Sequence, residues 1–157
     1  MKRRHIDLTV TTTAPRAAVF RLLADGSTWP SWAAIDALEL EREGDPPPEG
    51  VGAIRVLRRG RTTGRDLIVE LVADRRLRYQ ALSGLPTRDY EGTVDLEDGP
   101  GGGTTIRWRA SFFPKIPGTG RLYQAGIRRF LGECARGLAA SAAAHASGAA
   151  SGAPAAG

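Results

Sequence analysis

The stretch Arg121-Leu122-Tyr123-Gln124-Ala125-Gly126-Ile127-Arg128-Arg129-Phe130-Leu131-Gly132-Glu133-Cys134-Ala135-Arg136-Gly137-Leu138 decides the fold. Tyr123, Ile127, Phe130, Leu131, Cys134 and Leu138 recur at steps of three and four, so an α-helix gathers them into one apolar stripe. Arg121, Arg128, Arg129 and Arg136 fall off that stripe. This is the one long helix whose periodicity the chain supports. From Ser141 onward come nine Ala, three Gly, three Ser, one His and one Pro. The helix is expected to persist for about a turn there, with residues 146–157 forming a flexible Ala/Gly/Ser-rich tail.

Upstream of the helix the pattern changes to period two. A connection with Pro114, Pro117, Gly118 and Gly120 separates the helix from a strand that puts Ile106, Trp108, Ala110 and Phe112 on one face. Before the loop Asp98 to Gly103, another strand presents Tyr90, Gly92, Val94 and Leu96 together. Earlier still, Leu77, Tyr79 and Ala81 share a face, as do Leu67, Val69 and Leu71, and then Ile54 and Val56. The loop Gly44 to Gly50 precedes that last strand, and Leu38 and Leu40 point inward from the one before the loop. At the amino terminus Ile6, Leu8 and Val10 alternate with His5, Asp7 and Thr9. Two short helices fit between this first strand and the second: one carries Val19, Phe20, Leu22 and Leu23, the other Trp29 and Trp32 with Pro30 in its first turn.

Seven short strands at hairpin spacing imply an antiparallel sheet, whose apolar face needs a cover. The carboxyl-terminal helix is the element long enough to cross it, at ~1.5 Å per residue. The fold class is therefore α+β: a strongly curved seven-stranded antiparallel sheet wrapped around a long C-terminal helix. Such curvature leaves room between sheet and helix.

This order resembles the helix-grip (START-like, SRPBCC, Bet v 1-like) superfamily, in its polyketide cyclase/dehydrase and lipid-transport branch. The resemblance rests on Ala14-Pro15-Arg16-Ala17-Ala18-Val19-Phe20, Trp29-Pro30-Ser31-Trp32, Arg75-Arg76-Leu77-Arg78-Tyr79, Gly84-Leu85-Pro86, Tyr90-Glu91-Gly92 and Gly103-Thr104-Thr105-Ile106-Arg107-Trp108. It covers about residues 3–145, so a single ligand-binding domain of residues 1–145 is expected. The resemblance implies a cavity between sheet and helix for a hydrophobic, aromatic, polyketide-like or lipid-like small molecule. It also implies an alternative, a polyketide aromatase/cyclase or dehydratase working in the same cavity.

The residues expected to line that cavity are Trp29, Trp32, Leu38, Val56, Tyr79, Tyr90, Trp108, Phe112, Tyr123 and Ile127, since ligand sites are apolar with a few placed polar groups. Strict alternation aims Arg58 and Arg65 at the concave side, where a guanidinium would hold an anionic ligand group. Tyr90 with Arg58 is the pair expected to move a proton if a reaction occurs. Asp66, Glu70, Asp89, Glu91 and Asp95 fall on the polar strand faces by the same alternation.

Composition narrows the function classes. A hydrophobic fraction of 41% with 25% charged residues excludes a disordered or fibrous chain. No apolar run reaches the ~18 residues that span a bilayer, so no membrane insertion is expected. Met-Lys-Arg-Arg at the start leads into no apolar export segment, and a cytoplasmic location is expected. The lone Cys134 excludes a disulfide scaffold or a cysteine zinc site, and no cofactor or metal is implied. His5 lies on the polar face of the first strand and His145 near the tail, so no nucleophilic triad is expected. The net charge of +5 comes from 20 Arg and 2 Lys against 17 acids, alongside 24 Ala and 20 Gly, a usage typical of a GC-rich bacterial genome. Five arginines between positions 55 and 65 raise a basic module for an acidic partner as a third reading. They lack the interleaved aromatics that nucleic-acid binding uses, so no nucleic-acid partner is expected. Nothing in the sequence speaks to oligomeric state.

Overall fold

The computed structural model describes residues 1–151, with side chains described through residue 148. The chain runs β1 (Arg4–Thr12), α1 (Arg16–Ala24), a 3₁₀ turn (Gly26–Thr28), α2 (Trp29–Trp32), β2 (Ala37–Arg42), β3 (Ile54–Arg59), β4 (Thr62–Val72), β5 (Arg76–Ser83), β6 (Thr87–Asp98), β7 (Thr104–Pro114) and α3 (Gly120–Ser151). All seven strands join one antiparallel sheet in the order β1-β7-β6-β5-β4-β3-β2. The sheet curves around α3 in a helix-grip fold. Because β1 pairs with β7, the only long-range step in this meander joins its two ends in sequence.

Period-two burial is clean on β7, whereas on β2 Leu40 is exposed. Along β7, Ile106, Trp108, Ala110 and Phe112 are buried and their neighbours half-exposed. On α3, Ile127, Leu131, Cys134 and Leu138 are buried against the sheet, with Tyr123 and Phe130 half-buried beside them. The helix continues through Ser151, beyond residue 145 where the tail was expected to begin. Its run of alanines, the residue that loses least on entering a helix, accounts for that extension. The rest of the expected tail, 152–157, lies outside the described residues.

The β3–β4 hairpin departs from the simple alternation. Leu57 pairs with Leu38 on one side and with Gly64 on the other, and this register turns Arg55, Leu57 and Arg59 to the concave face. On β4 the inward set is Gly64, Asp66 and Ile68, with Ile68 only 1% exposed. Val56, Arg58 and Arg65 therefore belong to the convex face, and Asp66 to the concave one, the reverse of the sequence expectation. A bulge between Ile68 and Glu70 then flips the phase, so Leu71 returns to the core opposite Leu77. A one-residue slip exchanges the two faces of a strand, and the extra residue at the bulge hides that slip from a pattern count.

Where α3 crosses α2, the backbones nearly touch. A Cβ on Gly137 would sit 1.9 Å from the Trp32 carbonyl oxygen, whereas one on Gly126 would meet nothing within 4 Å. Opposite signs are expected from the same substitution at these two helical positions. Gly137→Ala should lose about 1–3 kcal/mol by forcing α3 off α2. Gly126→Ala should gain about 0.5–1 kcal/mol from helix propensity. Chemical denaturation of both variants checks the pair; equal shifts would contradict the packing described.

Candidate functional site

A cavity of about 460 Å³ lies between the concave face and the amino-terminal half of α3. Its floor comes from Leu57 of β3, Asp66 of β4, Tyr79 and Ala81 of β5 and Tyr90 of β6. Its roof is Tyr123, Gly126, Ile127, Phe130 and Leu131, the first turns of the apolar stripe. The absence of a side chain at Gly126 is part of what keeps this space open.

The polar atoms on the floor belong to Tyr79, Tyr90 and Asp66. Trp108 donates its indole N–H to the Tyr79 hydroxyl at 3.0 Å, which fixes that ring from below. Gly92 of β6 lies directly beneath the same ring, and a Cβ there would come within 2.1 Å of it. The Tyr79 and Tyr90 rings sit 6.2 Å apart, and Tyr90 stacks on Phe112 at 6.1 Å. Burial drives both phenol pKa values well above their ordinary range, so both remain protonated hydrogen-bonding groups at neutral pH. Burial likewise pushes the Asp66 carboxyl up, to about 7, against a smaller opposing pull from Arg55. The Cys134 thiol, raised to about 11 by burial, is inert as a nucleophile.

Beside the cavity lies a second polar group of different character. Arg55 is 3% exposed. Its Nε donates to Glu49 at 2.9 Å, and its Nη2 donates to the Ala24 carbonyl at 2.8 Å, with both Nη groups 3.3 Å from the Leu23 carbonyl. Glu49 also accepts from the Gly26 N–H at 2.8 and 3.0 Å. Together with the Trp29 N–H on Leu23 and the Thr28 hydroxyl on Leu22, these contacts satisfy carbonyls that the end of α1 would leave orphaned. This cluster anchors the short helices to the sheet, and four of the five N–H donors of its arginine are engaged within it.

Of the residues expected around a ligand, the structure brings Tyr79, Tyr90, Tyr123 and Ile127 to the cavity wall. Arg58 borders the rim, but its guanidinium turns outward to Glu39 at 3.6 Å, and Arg65 likewise pairs with Glu41 at 2.6 Å. The pairing of Tyr90 with Arg58 is thus not assembled. Val56 faces away with Arg65, and Leu38 packs near Gly26. Trp29, Trp32, Trp108 and Phe112 fill solid core instead of cavity wall. Trp29 and Trp32 contact each other at 4.7 Å, and Trp29 meets Trp108 edge-on at 6.2 Å. The indole N–H of Trp32 is already taken by the Thr28 hydroxyl at 3.0 Å.

Asp66, Leu57, Arg59 and Phe130 are among the wall residues that the sequence pattern did not point to. Arg59 lies over the Phe130 ring at 5.2 Å and reaches Glu133 at 3.8 Å. A signal for Asp66 did exist: closing the hairpin at Gly60–Arg61 sets Arg55 opposite Asp66, two charged residues whose shared face no hydrophobicity count would choose as the inner one. Among the described residues no three His, Cys, Asp or Glu side chains converge as a metal site requires. No helix among them is long and apolar enough to cross a membrane.

The curved sheet, the gripped helix and the cavity between them define a helix-grip protein. Residues 3–145 match the family described as polyketide cyclase / dehydrase and lipid transport, and the chain belongs to that family. Solved structures share the fold at low identity. XoxI from Bacillus cereus aligns at a TM-score of 0.73 and 15% identity, over 87% of this chain and 94% of its own. A Thermobifida fusca protein determined by NMR aligns at 0.74 and 24%, over 88% and 92%. Ara h 8.0201 aligns at 0.70 and 16%, over 90% and 98%. No curated protein matches the chain.

Proposed function

We propose that this protein binds a hydrophobic small molecule, of aromatic, polyketide-like or lipid-like shape, between the sheet and α3. The observation that carries this reading is the cavity itself. Its volume of about 460 Å³ falls in the range of roughly 300–1,000 Å³ typical of small-molecule sites. Its walls are mostly apolar, with Asp66, Tyr79 and Tyr90 as polar groups on the floor and Arg58, Arg59, Thr62 and Ser83 elsewhere in the lining. Membership of a family described by cyclase, dehydrase and lipid-transport activities agrees with it. Turnover by Tyr90 and Arg58 has less support than binding, since no hydrogen bond joins the two and the exposed Arg58 guanidinium lies 3.6 Å from Glu39. The basic-module reading has less support, since Arg58, Arg65, Arg76 and Arg107 each lie beside an acidic side chain.

Gly126 offers a clean test. A tryptophan at this position would project from α3 into the cavity from a site where nothing opposes its Cβ. The uncharged fluorophore N-phenyl-1-naphthylamine should bind the native protein and brighten, and Gly126→Trp should abolish that response with the unfolding midpoint maintained. Equal fluorescence enhancement in both proteins would refute the assignment.

A further inference from the structure

The floor of the cavity holds one charge more than the fold needs. Asp66 and Arg55 face each other across β3 and β4, the placement in which an ion pair would ordinarily form. The Arg55 guanidinium turns away from Asp66 to Glu49 and to the carbonyls of Leu23 and Ala24. Arg55 and Glu49 already neutralise one another, which leaves the Asp66 carboxyl as surplus. Among the described residues that carboxyl has no hydrogen-bond or ion-pair partner, and it faces the cavity. A half-buried carboxylate whose facing cation is turned to another acid is costly to keep ionised, and here the open direction is the one a ligand would occupy.

We infer that Asp66 is a recognition site for an organic ammonium group, so that the cavity takes lipophilic amine cations in preference to neutral or acidic molecules of the same shape. This rests on the binding reading given above and names its ligand class. A protonated amine would bring the countercharge that the wall withholds. Its alkyl or aryl body would fill the apolar space that Tyr79 and Tyr90 line together with Asp66. A neutral hydroxyl supplies a hydrogen bond but leaves the buried charge uncompensated. The rim does not repel an incoming cation strongly, since Arg58 is balanced by Glu39 and Arg59 by Glu133.

The charged and titratable groups around Asp66 support the same conclusion. They are Arg55 on β3, with Arg58 and Arg59 of the same strand also in the cavity lining, Tyr79 on β5, Tyr90 on β6, and Cys134 and Tyr123 on α3. The two buried phenols and the thiol stay neutral through the physiological range, and Arg55 stays paired with Glu49. Asp66, poised at about 7, is therefore the group in this set whose charge changes near neutrality. When the cavity is empty it takes up a proton; an ammonium ligand displaces that proton and keeps the carboxylate ionised.

The test compares 2-(1-naphthyl)ethylamine, 2-(1-naphthyl)ethanol and 1-naphthylacetate by calorimetry on the full chain, at pH 5.5 and 8.5. The amine stays protonated throughout. Its affinity should rise by about 10- to 30-fold between the two pH values, following ionisation of one group near 7. The alcohol should show no such gain, and the acetate should bind most weakly at pH 8.5. In Asp66→Asn the amine should fall to the level of the alcohol and lose its pH dependence, while the variant's stability to urea at pH 8 stays at or above the native value. Amine and alcohol of equal affinity in the native protein, or a pH slope that survives Asp66→Asn, would overturn the amine assignment and leave the cavity reading standing. No binding of any probe, including N-phenyl-1-naphthylamine, would overturn both.

Discussion

Replacing Arg55 with methionine is expected to destabilise the protein by about 3–5 kcal/mol, the usual result of removing one partner from a buried ion pair. Methionine keeps most of the side-chain volume, so the loss reports charge and hydrogen bonding instead of a cavity. Glu49 would keep only the Gly26 N–H, and the Ala24 carbonyl would lose its donor. The contact of the guanidinium with the Trp29 ring, 5.2 Å from its centre, would go as well. For a domain of this size the midpoint should fall by roughly 6–20 °C. Adding Glu49→Gln should recover part of the loss, because the carboxylate that was stranded is now neutral. A single variant within about 1 kcal/mol of the native protein would show that the cluster is not what anchors α1 to β3.

The second large effect runs in the opposite direction and depends on pH. In the folded chain the Asp66 carboxyl titrates at about 7, above its ordinary value of 3.8. Between those two values the native state holds a proton that the unfolded state has released, so this group lowers stability progressively as pH rises from about 4 to about 7. Above 7 the penalty is complete and constant. Asn cannot ionise and escapes it. Asp66→Asn should therefore match the native protein near pH 4 and exceed it at pH 8 by something on the order of 2–4 kcal/mol. That range follows from ~1.4 kcal/mol for each tenfold change in proton affinity, with some relief from water in the cavity. Urea titrations at pH 4.5, 6 and 8 measure the difference directly. A gap that stays constant across that range would mean that Asp66 titrates normally.

Such a cost is intelligible at a functional position. Proteins break local rules at sites where a ligand completes what the fold leaves open. The wall around Asp66 could have been neutral at no loss to packing, and the adjacent Arg55 is diverted to a structural task. A ligand that supplies a countercharge would convert the penalty into affinity, so the stability measurement and the amine titration interrogate the same group from two sides.

Much of this arrangement is written in local patterns. The stripe on α3 and the alternation in β1, β5, β6 and β7 identify their inner faces, because each apolar set repeats at the period of its own element. Tyr79, Tyr90, Tyr123 and Ile127 reach the cavity wall for that reason. The order of elements follows too, since seven short strands and one long helix admit few ways to cover an apolar face. Local pattern also groups Trp29, Trp32, Trp108 and Phe112 on the inner side, but it cannot separate the parts of that side that are filled from the part that is hollow. The hollow exists because the tryptophans pack against one another at and beside α2 while the first turns of α3 pass over Tyr79 and Tyr90, with Gly126 in the lining. The β3–β4 hairpin escapes local reading altogether: both of its faces mix charged and apolar residues, so neither declares itself as the inner one. Its orientation is settled by hydrogen-bond register with β2 and β5 and by the bulge after Ile68, and those long-range contacts bring Asp66 inside.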